Sequence, residues 1–555
     1  MESTIERSPR RCQSILDRRL ARRRPLLWAF VAVLAGVFLF LPVRESHAES
    51  PTPTEIVRQV QGLIRSGNPQ EARELLDRAV RTYPQDAGLR DLLGIVEAQQ
   101  GKLAEAEENF KRSIELDPRL AGAYLNLAHV YQQQIGKEKG AARNAVAVYR
   151  KLLAIDPGNV EANFQLSLLL EQRGDFKSSL VHLERLPVEA RKNSRARLVS
   201  VADHAGLGQR SIAEREASTL QADRSLNEAD VLAILPALKA GHAPHLGIEL
   251  LEGLARQGRA SPAALYRLGV LYEDAGQLSK ARSVLEKVAQ SKPASVPILL
   301  ELARVAEKQK EYKHALGYLA HARDLAPDDA SIHFFFGVVC VEANLGQEAY
   351  VSLRKAVELD PGNPYYNYAL GAVVLARTDT HPAIGYFQRY CQAMPHDPRG
   401  RFALGVAYFY SHDLKSAQKV LEEVTSFRQT APGAHYFLGR IADLEGRLDQ
   451  AVAQLALSLR ERPGYADALA ELGIVRIKRK EYPAAREALE AALRKDPNNY
   501  RANLNLMILY ARTKDPRAKA QRERFQELQK TRAQTAKDFL RTIKVERPTT
   551  AENVN

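Results

Sequence analysis

The one close pair of histidines in the sequence is His242-x-x-His245. Two imidazoles at that spacing could begin a zinc site, which needs at least a third protein ligand. Pro244 sits between them and no carboxylate stands in helical register, so a surface pair is the better reading. The three cysteines, Cys12, Cys340 and Cys391, are too few and too scattered for a metal cluster or a disulfide framework. Cys340 and Cys391 both fall at apolar helix places, which reads as packing, with a bridge between them as the alternative. A phosphate loop, a dinucleotide fingerprint, a metalloprotease helix and a nucleophile elbow are all missing from the sequence. These residues predict no catalytic centre, no metal and no cofactor.

Aromatic and arginine side chains offer chemistry of another kind. Phe164, Leu198, Leu232, Tyr266, Leu300, Phe334, Tyr368, Phe402 and Tyr436 follow one another in steps of 34, and five of the last six are aromatic. Phe335, Tyr365, Phe409 and Tyr410 thicken the same region, and Arg304, Arg399 and Arg440 supply cations beside it. Aromatic rings and guanidinium groups give large contact area for little lost rotamer entropy, which is why they concentrate at binding hot spots. The same rings could equally be filler between stacked elements. Both readings stand at this point.

The step of 34 belongs to the whole chain, not to the aromatics alone. Units begin at residues 53, 87 and 121, then at every 34th residue from 160 to 500. The third carries five surplus residues around Gln134–Gly140. The twentieth place reads Ala72, Ala106, Ala145, Ser179, Ala213, Gly247, Ala281, Ala315, Ala349, Ala383, Ala417, Ala451 and Ala485, small in all thirteen units. The eighth place is small in most, as in Gly94, Gly269, Gly337, Gly405 and Gly473. Such columns require two helices in close approach. Apolar residues three and four apart place an amphipathic helix on either side of a short turn, often marked by Gly (Gly101, Gly174, Gly276, Gly446). Pro118, Pro157, Pro361 and Pro497 close the second helix, because proline cannot donate to a continuing helix. The spacing predicts an all-α array of helical hairpins in one continuous stack.

Leu268-Gly269-x-x-Tyr272, then Gly276, Ala281, Leu285 and Pro293, closely resembles the tetratricopeptide repeat signature, and the likeness extends over residues 53 to 515. The resemblance implies a right-handed superhelical solenoid whose concave face is lined by the first helix of each unit. It implies that the second, fifth, ninth, twelfth and thirteenth places of that helix point into the groove. Tyr266, Phe334, Tyr365, Tyr368, Phe402, Phe409, Tyr436, Arg304, Arg399 and Arg440 are then the candidate contacts for a protein or peptide partner. The clamp by which some relatives grip an acidic peptide terminus needs Lys at the fifth place and Asn at the ninth. Here those places hold Tyr266 and Val270, or Leu125 and His129, so that mode is not expected.

The units fall into three groups: 53–159, a degenerate run at 160–261, and 262–499. The middle run has Arg191, Ser225 and Arg259 where the closing proline belongs, and Pro187, Pro236 and Pro244 in or beside its helices. Pro236, in mid-helix, is expected to kink or shorten it. A partial unit and a basic capping helix follow at 500–540, read from Asp515 to Leu540 with Phe525, Leu528 and Phe539 as its sparse apolar contacts, and then a disordered tail at 541–555.

Net charge is +14, with nine Arg against four acids in residues 1–48 and twelve bases against five acids from Arg512 to Arg547. The array between them is nearly neutral, which argues against a nucleic-acid groove along it. The basic start is followed by an uncharged run, Leu26–Leu41, and by Ser46-His47-Ala48. That order is the pattern of a secretory signal peptide cut after Ala48, with residues 49–52 as a linker. An uncleaved anchor over residues 26–43 is the alternative, since sixteen helical residues span ~24 Å of a ~30 Å hydrocarbon core. Either way the array is expected outside the cytoplasm, in the periplasm or beyond, touching a membrane only through that segment. The expected role is an exported, envelope-located scaffold; the alternative is a factor handling an envelope polysaccharide.

Overall fold

First helices begin at Pro53, Ala87, Ala121, Val160, Ser194, Glu228, Pro262, Val296, Ala330, Pro364, Pro398, Ala431, Ala466 and Tyr500. The computed structural model describes residues 51–291 and 295–530, and among these every regular element is a helix. The signal or anchor segment, Phe539 and the tail lie outside the described residues. The fold is the all-α repeat array that the spacing predicts.

Local sequence starts each helix. Asp86 accepts from the Leu89 amide at 2.9 Å and Asn159 from the Ala162 amide at 3.0 Å, and Pro262, Pro364 and Pro398 occupy first positions where no donor is needed. The turn inside a unit depends on its fifteenth place, which has positive φ in every unit but the third, where Gly136 and Gly140 take that conformation instead. Gly67, Gly101, Gly174, Gly208, Gly276 and Gly446 supply it without strain. His242, Lys310, Asn344, Thr378, His412, Lys480 and Lys514 adopt it with a side chain.

The two helices of a hairpin meet across the small columns. All of the alanines at the twentieth place are 0% exposed. A Cβ added at Gly269 or Gly473 would stand 2.6 Å from the Cγ of Leu285 or Leu489. The eighth place therefore receives the large side chain of the twenty-fourth place, sixteen residues later. Where this pairing changes, the sizes exchange: Leu235 fills the eighth place of its unit and lies over Gly247.

The chain forms two compact units, one ending at Val130 and the other beginning at Tyr131, within helix Ala121–Gln133 and just ahead of the surplus residues. In the first, Ile56, Val60, Leu76, Leu89, Leu93 and Val96 form the core, and buried Glu97 is held by Arg73 at 3.3 Å and Asn109 at 2.8 Å. In the second, one core runs from Phe334 to Ala488 and another from Leu198 to Val305. First helices such as Ala330–Glu342 and Pro364–Ala376 are apolar on nearly every side and buried, whereas second helices keep one face in water.

Three expectations need correction or completion. Helix Glu228–Ala240 contains Pro236 yet keeps the thirteen residues of its neighbours, because Val231, Ile234 and Leu238 are anchored in the core. The second helix of unit 160 is short instead, Phe176–Glu184, with Pro187 starting a separate turn at Val188–Arg191. The terminal helix begins at Ala518, three residues later than read, and is described to Lys530. Its Phe525 is 5% exposed and lies on the Tyr500 ring at 5.0 Å, while Gln521 Nε2 donates to the Asn503 side-chain oxygen at 2.9 Å. Cys340 and Cys391 are free thiols, Cys340 fully buried and pushed up to about 12 by that burial.

Candidate functional site

Burial divides the ten candidate side chains into two sets. Phe334, Phe402, Phe409 and Tyr436 are between 5% and 8% exposed and belong to the main core of the second unit. They fill space between hairpins and have little surface to offer a partner. Tyr266, Tyr365, Tyr368, Arg304, Arg399 and Arg440 are half-exposed. They are the surface of the first-helix wall, and the buried rings are its support.

The rings interlock from one hairpin to the next. Phe334 lies on Tyr366 at 4.8 Å, Phe402 on Phe437 at 6.2 Å, and Tyr436 on Tyr465 at 5.3 Å. Tyr368 meets Tyr390 at 4.9 Å and Phe387 at 5.7 Å, both on the second helix of its own unit. Tyr390 was not among the candidates, yet it sets this part of the wall: it is 2% exposed and its hydroxyl donates to Asp397 at 2.5 Å. Arg399 closes on the same carboxylate through Nε and Nη2, at 2.9 and 2.6 Å. Burial pushes the Asp397 carboxyl up, but the Arg399 guanidinium, the Tyr390 hydroxyl and the Arg399 amide together bring it below the usual range.

A second set of functional groups escaped the reading of aromatics: acids buried in the wall. Glu273 and Glu301 are 4% and 2% exposed and lie together on successive first helices. Arg304 Nη1 is 2.8 Å from Glu301, and Lys308 Nζ is 2.8 Å from Glu273. Burial raises the Glu301 carboxyl to about 7 against the pull of Arg304, with Glu273 adding to the rise. Tyr266 faces this group, and burial, then Glu301, raise its phenol. Asp443 is paired with Lys478, and Glu471 with Arg501. The signal for these pairs was present in the sequence: Glu273 and Asp443 stand at the twelfth place, and Lys308 and Lys478 at the thirteenth place of the following unit.

His242 occupies the positive-φ turn position, and His245 Nε2 lies 3.5 Å from Glu214. Among the described residues no three His, Cys, Asp or Glu side chains form a group that could hold a metal ion, and no helix is long and apolar enough to cross a membrane. A groove of about 540 Å³ is lined by Lys310, Tyr312, His314, Leu316, Ala343 and Leu345, and by none of the ten candidates. The half-exposed tyrosines and arginines present aromatic faces and guanidinium edges along the first helices.

Comparison with known proteins gives matches along most of the chain. Residues 43–231 match the protein kinase G tetratricopeptide repeat family. Residues 274–334 and 444–502 match one tetratricopeptide repeat model, and residues 235–296 and 402–466 match another. The chain is 24% identical over 268 residues to cellulose synthase operon protein C of Pseudomonas fluorescens (strain SBW25), covering 46% of this chain and 18% of that protein. It is 24% identical over 223 residues to a BBSome complex member BBS4 homolog of Drosophila melanogaster, covering 39% of this chain and 44% of that one. The aligned region thus spans less than half the length of either relative. Among solved structures, a tetratricopeptide repeat protein from Parabacteroides merdae is 14% identical, with 45% of this chain and 98% of that chain covered at a TM-score of 0.40. Yeast Tom70 is 16% identical, with 84% and 95% covered at a TM-score of 0.37.

Proposed function

The chain belongs to the tetratricopeptide repeat family, and from that premise we propose that it is a non-catalytic scaffold holding a protein or peptide along the first-helix wall of residues 262–512. The observation that carries this reading is the half-exposed set Tyr266, Tyr365, Tyr368, Arg304, Arg399 and Arg440, fixed from behind by buried rings. An extended segment or helix laid there gains apolar contact without ordering new side chains, since Tyr390 and Asp397 already hold Tyr368 and Arg399 in place. The test is a Tyr365→Ala/Tyr368→Ala variant. Phe402 is unsuitable, because removing a ring that is 8% exposed would cost about 3–5 kcal/mol of stability. The variant should keep its circular dichroism spectrum and lose partner recovery; full recovery with the fold intact overturns the reading.

We further propose that the chain works outside the cytoplasm, in cell-envelope assembly. The Arg-rich start followed by the uncharged run Leu26–Leu41 supports this. A mature N-terminal mass beginning at Glu49 fits cleavage, one including residues 26–43 fits an anchor, and recovery only from cytoplasm contradicts both. A second reading, assembly or export of an envelope polysaccharide, is favoured by the likeness to cellulose synthase operon protein C. Tyrosine faces can stack on sugar rings as well as on peptides. Binding of purified protein to envelope glycans, lost in the same double variant, would move the account to that reading.

A further inference from the structure

Cations along the first-helix wall of the second unit follow a rule. Lys239 pairs with Asp274 at 3.4 Å, Arg304 with Glu301 at 2.8 Å, Lys308 with Glu273 at 2.8 Å, Arg399 with Asp397 at 2.6 Å, Lys478 with Asp443 at 2.6 Å, and Arg501 with Glu471. Arg440 breaks it. Its guanidinium carbon lies 4.5 Å from the ring centre of Phe409, 5.7 Å from Tyr436 and 5.8 Å from Phe437, and among the described residues no carboxylate is within ion-pair distance. One of its donors is engaged by the Tyr410 hydroxyl, which leaves the others for a ligand.

The acids nearby are already engaged. Glu471 is 1% exposed and bound by Arg501, and Asp467 accepts from Asn499 Nδ2 at 2.7 Å. A guanidinium packed on aromatic rings has its charge partly desolvated and its torsions fixed, while its N–H donors lie in the plane of the group and point away from the rings. That arrangement is ready to take a planar two-oxygen anion edge-on.

We propose that Arg440 receives the carboxylate of an aspartate or glutamate side chain within the bound peptide. This rests on the scaffold reading above and names the chemistry of its ligand at one position. An interior side chain, not a chain terminus, fits because the wall continues on both sides of Arg440, through Tyr368 and Arg399 before it and Lys478 and Arg501 after it.

The experiment selects peptides from a displayed random dodecamer library on the full chain. The best peptide is then titrated, as free acid and as C-terminal amide, against wild type, Arg440→Gln and Arg440→Lys. Circular dichroism checks that each variant is folded. Selected peptides should share an Asp or Glu at one fixed distance from an apolar anchor. Changing that acid to its amide should weaken binding about 10- to 100-fold in wild type and have little effect in Arg440→Gln. Arg440→Lys should restore part of the loss, and C-terminal amidation should change nothing. Peptides without a fixed acid, an acid whose removal costs the same in both backgrounds, or binding lost on amidation overturns the inference and leaves the scaffold standing. Selection of no peptide at all, or binding of polygalacturonate in place of peptides, overturns the scaffold reading and this inference together.

Discussion

Lys478 Nζ lies 2.6 Å from each carboxylate oxygen of Asp443, 35 residues earlier in the chain. Lys308 repeats the contact with Glu273, and Lys239 with Asp274 reverses its sign. Each pair joins the twelfth place of one unit to the thirteenth of the next, so neighbouring first helices are tied by a charge as well as by packing. Asp443 is 8% exposed, and losing its cation leaves a nearly buried charge unpaired. Lys478→Met should therefore cost about 1–3 kcal/mol in urea denaturation. The exchange Asp443→Lys/Lys478→Asp should recover most of that, since the array accepts either order. A double variant less stable than the sum of its single changes contradicts this pairing rule.

The turn inside each hairpin makes a sharper demand. Thr378 holds φ at 69°, in the left-handed region that a β-branched residue adopts only under strain. Six other units have Gly at that place. Thr378→Gly should raise stability by about 1 kcal/mol despite adding backbone freedom to the unfolded chain. A fall in the denaturation midpoint would show that the strain is absent.

Close approach of the two helices predicts the opposite outcome at Gly337. A Cβ there would stand 2.6 Å from Leu353 Cγ and 3.3 Å from the Leu353 amide nitrogen. Gly337→Ala, ordinarily helpful in a helix, should destabilise by about 1–3 kcal/mol. Pairing it with Leu353→Ala should not restore wild-type stability, because the Leu side chain is 0% exposed and leaves a cavity.

Acids without a cation give a pH dependence. Glu171 stands at the twelfth place, but the thirteenth place of the next unit is Gly206, where Glu273 and Asp443 meet Lys308 and Lys478. Asp203 is 0% exposed and neither of its carboxylate oxygens has a hydrogen-bond partner; the Ser179 hydroxyl donates instead to the Ser167 carbonyl at 2.9 Å. Burial pushes Asp203 up to about 8, with Glu171 and Asp175 adding to it, and pushes Glu171 up to about 7. Unfolded, both ionise near ~4. Between about pH 4 and 8 the unfolded chain has released protons that the folded chain keeps, so stability falls as pH rises and levels off above the folded-state values. Melting temperature should drop from pH 5.5 to 8.5, and Asp203→Asn should shrink that drop. An equal drop in both proteins would place the titration elsewhere.

The repeat was legible because close packing leaves a column of small residues, and Ala281, Ala315 and Ala349 are small and 0% exposed for one reason. The pairs made by Lys239, Lys308 and Lys478 were not read, since each joins positions 35 apart and appears only when two columns are compared with a shift of one. Aromatic rungs were visible, but periodicity cannot separate Tyr368, half-exposed, from Phe402 one unit later, which is 8% exposed. Exposure depends on Tyr390 and Phe437, which lie off that column. Pro236 does not shorten its helix, whose Val231 and Leu238 are buried in the core.

The central claim is that partners are held on the first-helix wall. Site-specific photocrosslinking tests it most directly, with the photoreactive residue at position 368 on that wall and, in a second protein, at position 351 on a second helix, where Val351 is 48% exposed. The account predicts a discrete protein or peptide adduct from position 368, competed by unlabelled partner, and none from position 351. Adducts from position 351 alone, or equal yields from both, would contradict it.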